Sequence, residues 1–121
     1  MSLFKQTAFD AFAGSLPGVT FVDQWESRVA KVGGKVFALL TTGKDGQERI
    51  VFKCPEESFV ILTAIDGISQ APYFAKRQWV SVSSLAEFPE HDLSTYLMRS
   101  YKTVSASLTK KLQRELGIIE D

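Results

Sequence analysis

Residues 28–40 limit the fold more than any other stretch. They read Arg-Val-Ala-Lys-Val-Gly-Gly-Lys-Val-Phe-Ala-Leu-Leu. Two β-forming, apolar-rich runs meet at Gly33-Gly34, and both central positions of a type I′ turn need positive φ, which glycine adopts without a side-chain clash. The spacing predicts a tight β-hairpin, so the chain contains antiparallel sheet. Lys31 and Lys35 flank the turn.

The length of 121 residues fits a single domain spanning 1–121, large enough to bury one sheet against a few helices. Apolar residues make up 45% and charged residues 23%, which is ordinary globular composition. Basic and acidic residues balance at 14 each, so no global field attracts nucleic acid or an acidic membrane. Any charge argument must rest on local clustering. One cysteine, Cys54, excludes an intramolecular disulfide and a Cys-cluster zinc site. No apolar run reaches the roughly 18 residues of a spanning helix, and the N-terminus lacks the apolar core of a signal peptide. A cytoplasmic monomer with no membrane association is expected.

Along the chain, residues 2–13 read as a helix with Phe4, Ala8, Phe9, Phe12 and Leu16 on one stripe and Ser2 as N-cap. Leu16-Pro17-Gly18 ends it. Thr20-Phe21-Val22 is a short strand, and 23–27 a connector anchored by Trp25. The hairpin follows, then an Asp45-Gly46 turn, then a strand over 48–53. Residues 20–53 therefore form an antiparallel meander of three or four strands. Pro55 and the acids Glu56 and Glu57 open a second helix, with Phe59, Leu62 and Ile65 facing inward and Asp66-Gly67 as its stop. Ala71-Pro72-Tyr73 is at best an edge segment, because proline cannot donate to a ladder. Residues 78–82 form a better strand. A long helix starts at Pro89-Glu90 with Leu93, Leu97, Tyr101, Val104 and Leu108 as its stripe, and Thr109 caps a short last helix over 110–116. The order implies an α+β domain: an antiparallel sheet of about five to six strands with helices on one face.

Period-two alternation divides the sheet residues. Ile50, Phe52, Val80 and Val82 are assigned to the helix side, together with Phe37 and Leu39. Across the turn, Val32 then opposes Lys35 and Ala30 opposes Phe37. This leaves Val29, Lys31, Val36, Ala38, Leu40, Arg49, Val51, Lys53, Trp79 and Ser81 on the open face. An aromatic among cations suits stacking on bases and contact with phosphate. Two further basic groups are Lys76-Arg77, just before Trp79, and a run of Arg99, Lys102, Lys110, Lys111 and Arg114. The latter reads first as a solvated helix face, since cations are favoured near helix C-termini.

Catalytic patterns are weak. His91 is the only histidine and lies between Glu90 and Asp92, consecutive helical positions that point apart and chelate poorly. Cys54 sits before a helix start but has no histidine nearby to act as base, so it reads as a buried, inert thiol. Neither Gly33-Gly34 nor Gly43-Lys44-Asp45-Gly46 has phosphate-loop spacing, and no serine lies in a nucleophile elbow. No enzyme activity, cofactor or metal is expected.

Taken together, Leu16-Pro17-Gly18-Val19-Thr20 after a first helix, Lys31-Val32-Gly33-Gly34-Lys35-Val36-Phe37-Ala38-Leu39, Phe52-Lys53-Cys54, and Ala71-Pro72-Tyr73 leading to Trp79 resemble the MmcQ/YjbR family of small bacterial proteins. The resemblance runs over nearly the whole chain. It implies a CyaY/frataxin-like (double-wing) α+β fold and DNA binding. Family members often carry a His or Asn and further Lys between the Tyr and the Trp, where this chain has Phe74-Ala75-Lys76-Arg77-Gln78. On this reading Lys31, Lys35, Lys53, Lys76 and Arg77 contact phosphate, and Tyr73 or Trp79 stacks. The alternative is a frataxin-like scaffold that docks a protein or small ligand on the open face through Trp79. Iron binding is not expected, because the first helix holds only Asp10.

Overall fold

The computed structural model describes residues 2–24 and 26–119. The anchoring role expected of Trp25 lies outside the described residues. The elements run α1 (Gln6–Gly14), β1 (Val19–Gln24), β2 (Ser27–Val32), β3 (Lys35–Thr42), β4 (Glu48–Lys53), α2 (Glu56–Thr63), β5 (Ile68–Gln70), β6 (Trp79–Ser83), α3 (Glu90–Ala106) and α4 (Lys110–Glu115). The sheet is antiparallel throughout, in the order β1-β2-β3-β4-β6-β5. The meander supplies its first four strands. β5 is the far edge and precedes Pro72, which lies outside the ladder as its missing N–H requires.

One face of the sheet carries the main core. Phe37, Ile50, Phe52, Val80 and Val82 pack there under Leu93 and Leu97 of α3 and Phe9 of α1. Phe37 meets Tyr101 edge-on at 5.4 Å between ring centroids, and the Tyr101 hydroxyl donates to the Pro17 carbonyl at 2.6 Å. The Thr109 side chain accepts from the Leu112 N–H at 3.1 Å, so α4 has the N-cap its sequence implies.

The hairpin has one irregularity. Val32 pairs with Lys35 and Lys31 with Val36, but Ala30 then pairs with Ala38 and Val29 with Leu39. Phe37 is the extra residue of a β-bulge, and from there the alternation shifts by one. Hence Ala38 and Leu40 belong to the core, and Leu39 joins Val36, Val51, Ala71 and Trp79 in a separate small cluster on the other face. Strict alternation had put Leu39 in the core, Ala38 and Leu40 outside, and Ala30 opposite Phe37. The bulge reverses all of these. The assignments of Val29, Lys31, Val36, Arg49, Val51, Lys53, Trp79 and Ser81 to the outer face agree with the observed pairing.

Antiparallel connectivity gives the sheet two distinct ends. The Gly33-Gly34 turn, the end of β4, the start of β6 and the end of α3 share one end, since the Lys35 Nζ reaches the Ser107 Oγ at 3.2 Å. The β1–β2 turn, the β3–β4 turn and the start of α3 share the other; there the Ser84 N–H donates to the Glu48 carbonyl.

Candidate nucleic-acid interface

The residues singled out from sequence collect at the hairpin end but not on one face. Lys53, Lys76 and Arg77 line a common surface pocket of about 430 Å³, with Cys54, Pro55, Glu56, Gln78 and Thr103 completing the wall. The pocket lies where β4 passes into α2, beside the loop entering β6 and the last turns of α3. The Arg77 Nε donates to Glu56 Oε1 at 2.6 Å, and its guanidinium lies 5.7 Å from the Phe59 ring centroid. The backbone of Arg77 is also fixed: φ is +64° and its N–H donates to the Gln70 side chain at 2.8 Å.

Lys31 is on the outer face of β2, paired with Val36. Lys35 is exposed and turned to the helix side through Ser107. These two lysines therefore straddle the sheet at the same end as the pocket without lining it.

The two aromatic candidates differ. Trp79 is only 8% exposed; Phe74 lies over it with ring centroids 4.4 Å apart, and Val51 and Ala71 close the rest. Its ring is packing for the loop, and docking a partner through it requires Phe74 to move. Tyr73 is the opposite case: it is fully solvent-exposed with φ at +69°, a left-handed conformation that costs a non-glycine residue roughly 1–2 kcal/mol. Of the two, Tyr73 is the ring exposed to solvent.

The other end of the sheet is acidic. Asp23 and Glu26 stand at the β1–β2 turn, Asp45 and Glu48 at the β3–β4 turn, Asp66 before β5 and Glu90 at the start of α3. The arginines there are engaged by acids. Arg28 bonds both Asp10 and Asp23 at 3.1 Å, which raises its pKa, and Arg49 grips Asp45 at 2.7 Å. The Arg49 guanidinium and the Gln47 N–H hold the Asp45 carboxyl down to about 2. The electroneutral chain is thus electrically polarised along its strands. Lys102, Lys110 and Lys111, which read as a solvated face from sequence, fall at the basic end because α3 finishes and α4 begins there.

Cys54, in the pocket wall, is not activated as a nucleophile. Burial pushes the Cys54 thiol up to about 11, so it stays protonated at neutral pH. Among the described residues no group of three or more His, Cys, Asp or Glu side chains is arranged to hold a metal ion, and no helix is long and apolar enough to cross a membrane. Cys54, Pro55, Glu56, Gln78 and Thr103 line the pocket without having been binding candidates from sequence; Thr103 is fifty positions from Lys53, and no local pattern links them.

A family model described as YjbR matches residues 14–103. The chain belongs to the YjbR family. Its fold is similar to that of Deinococcus radiodurans protein DR2400, of domain DUF419, with a TM-score of 0.81 and 24% identity over 93% of this chain and 88% of that one. It is also similar to a Pseudomonas syringae protein, with a TM-score of 0.69 and 18% identity over 82% of this chain and 97% of that one. At these identities the likeness concerns the fold alone. No curated protein matches the chain.

Proposed function

We propose that this YjbR-family protein binds DNA without catalysis, through the basic end of its sheet. The observation that carries the reading is the gathering of Lys53, Lys76 and Arg77 around one pocket, at the end where Lys31 and Lys35 also stand. Backbone phosphates are recognised by such a grouping whatever the base sequence, because the contacts are to charge rather than to base edges. Local polarity supplies the field that zero net charge denies to the molecule as a whole. Tyr73 adds a ring on which an exposed base stacks.

The test is fluorescence anisotropy with short labelled single- and double-stranded DNA across a salt series. Binding should weaken as salt rises, with a log–log slope near −0.7 to −0.9 for each phosphate neutralised. The Lys53→Gln/Lys76→Gln/Arg77→Gln variant should bind markedly more weakly and with a shallower slope. No binding by the folded protein at low salt sinks the reading.

A further inference from the structure

The pocket suggests which part of a nucleic acid it takes. A duplex or strand running over a surface offers phosphodiesters, each with a single negative charge, whereas a phosphorylated strand end offers more charge at one point. The cations here gather around one open surface pocket of about 430 Å³. Its walls carry the two ammonium groups of Lys53 and Lys76, the guanidinium of Arg77, and one carboxylate, Glu56. The net charge of that wall is two positive. Glu56 engages Arg77 only through Nε, leaving the four other N–H donors of the guanidinium for a ligand. Gln78 and Thr103 add a neutral amide and a hydroxyl to the same wall. The Gln70 contact to the Arg77 backbone fixes the base of this side chain before any ligand arrives.

We infer that this pocket receives a terminal phosphate monoester, the phosphorylated end of a DNA strand, in preference to an internal phosphodiester. A monoester carries about two negative charges above its second pKa near 6, which matches the charge of the wall, and its third terminal oxygen gives the lysines and Arg77 more acceptors. Free nucleoside monophosphates share this chemistry. The strand end is the better assignment because Lys31 and Lys35 stand outside the pocket at the same end of the sheet, where only a longer ligand also meets them. The inference rests on the DNA-binding reading above, and the experiment separates the two.

Three oligonucleotides of one sequence are compared by anisotropy at fixed salt: 5′-phosphorylated, 3′-phosphorylated and unphosphorylated. One phosphorylated end should bind about tenfold more tightly than the unphosphorylated strand, in line with a few added charge-assisted hydrogen bonds. That preference should fade below about pH 6, where the monoester loses a charge. Lys76→Gln and Arg77→Gln, both at exposed positions, should each bring the affinity ratio of phosphorylated to unphosphorylated strand down to about one, whatever affinity the unphosphorylated strand itself loses. Equal binding of all three strands overturns the inference and leaves DNA binding intact. No binding of any strand at low salt overturns both. Adenosine monophosphate binding as tightly as the phosphorylated strand overturns the strand-end assignment.

Discussion

Ser100 is wholly buried, yet its hydroxyl joins two parts of the sheet. It donates to the Phe37 carbonyl at 2.6 Å and accepts from the Lys53 N–H at 3.0 Å. These are backbone groups of β3 and β4 where the bulge has ended their ladder, so a helix side chain completes the sheet. Ser100→Ala leaves the buried Phe37 carbonyl and the part-buried Lys53 N–H without this partner; a buried unpaired group costs roughly 1–3 kcal/mol. The variant should lose at least about 1 kcal/mol in urea unfolding, as a lower midpoint with an unchanged slope. Asp45 offers a second test at this scale. Its folded pKa is depressed to about 2 from an ordinary 3.8. Its contribution to stability is therefore present above pH 3.8 and lost as pH falls through about 2. Carboxyl NMR titration should find this value, and Arg49→Gln should return it most of the way to 3.8. Cys54, held up at about 11 by burial, should react slowly with iodoacetamide at pH 8 in the native protein and quickly in urea.

The hairpin shows how far an element can be read from its residues. Gly33-Gly34 specified the turn, and the turn specified Val32 opposite Lys35; both glycines do adopt positive φ, +58° and +81°. The bulge two residues later left no mark in the apolar pattern, because Val36, Phe37, Ala38, Leu39 and Leu40 are all apolar and suit either face. Its cause is tertiary: the Phe37 ring packs on Tyr101 and its carbonyl is taken by Ser100, more than sixty positions away. The polar and aromatic positions of β4 and β6 alternate cleanly, so their faces were legible. The loop over Trp79 was not, since a Trp beside Lys76-Arg77 looks the same in sequence whether bare or covered. The two glycines should respond differently to Ala. Each takes on roughly 1–2 kcal/mol of left-handed strain, but a Cβ on Gly33 would also fall 2.6 Å from the Leu108 Cδ1, in a buried side chain, whereas Gly34 faces open space. Gly33→Ala should thus be the more destabilising in thermal melts. Phe74→Ala should red-shift Trp79 emission in a Trp25→Phe background, because it uncovers the indole without touching the sheet.

At the scale of the whole molecule, net charge and charge placement are different quantities. Acids and bases are equal in number, but most are segregated, with Asp23, Glu26, Asp45 and Glu48 at one end and Lys31, Lys35, Lys53 and Lys76 at the other; Lys44 at the first end and Glu56 and Glu57 at the second are the exceptions. On the proposed DNA-binding reading, placement rather than net charge sets the affinity. Two variants with the same net charge test this. Lys31→Gln/Lys53→Gln neutralises two charges at the basic end, and Lys5→Gln/Lys44→Gln neutralises two elsewhere. If the field of the basic end draws in DNA, the first pair should flatten the salt slope by up to about 1.8 and weaken binding at low salt, while the second leaves both near wild type. Screening over about 10 Å at 0.1 M salt is what allows this contrast, since charges at the acidic end then act little across the length of the sheet. Equal losses from the two pairs would mean that net charge alone sets the affinity. The polarity built into the sheet would then have no part in recognition, and the basic end would be a consequence of helix and strand termini gathering there.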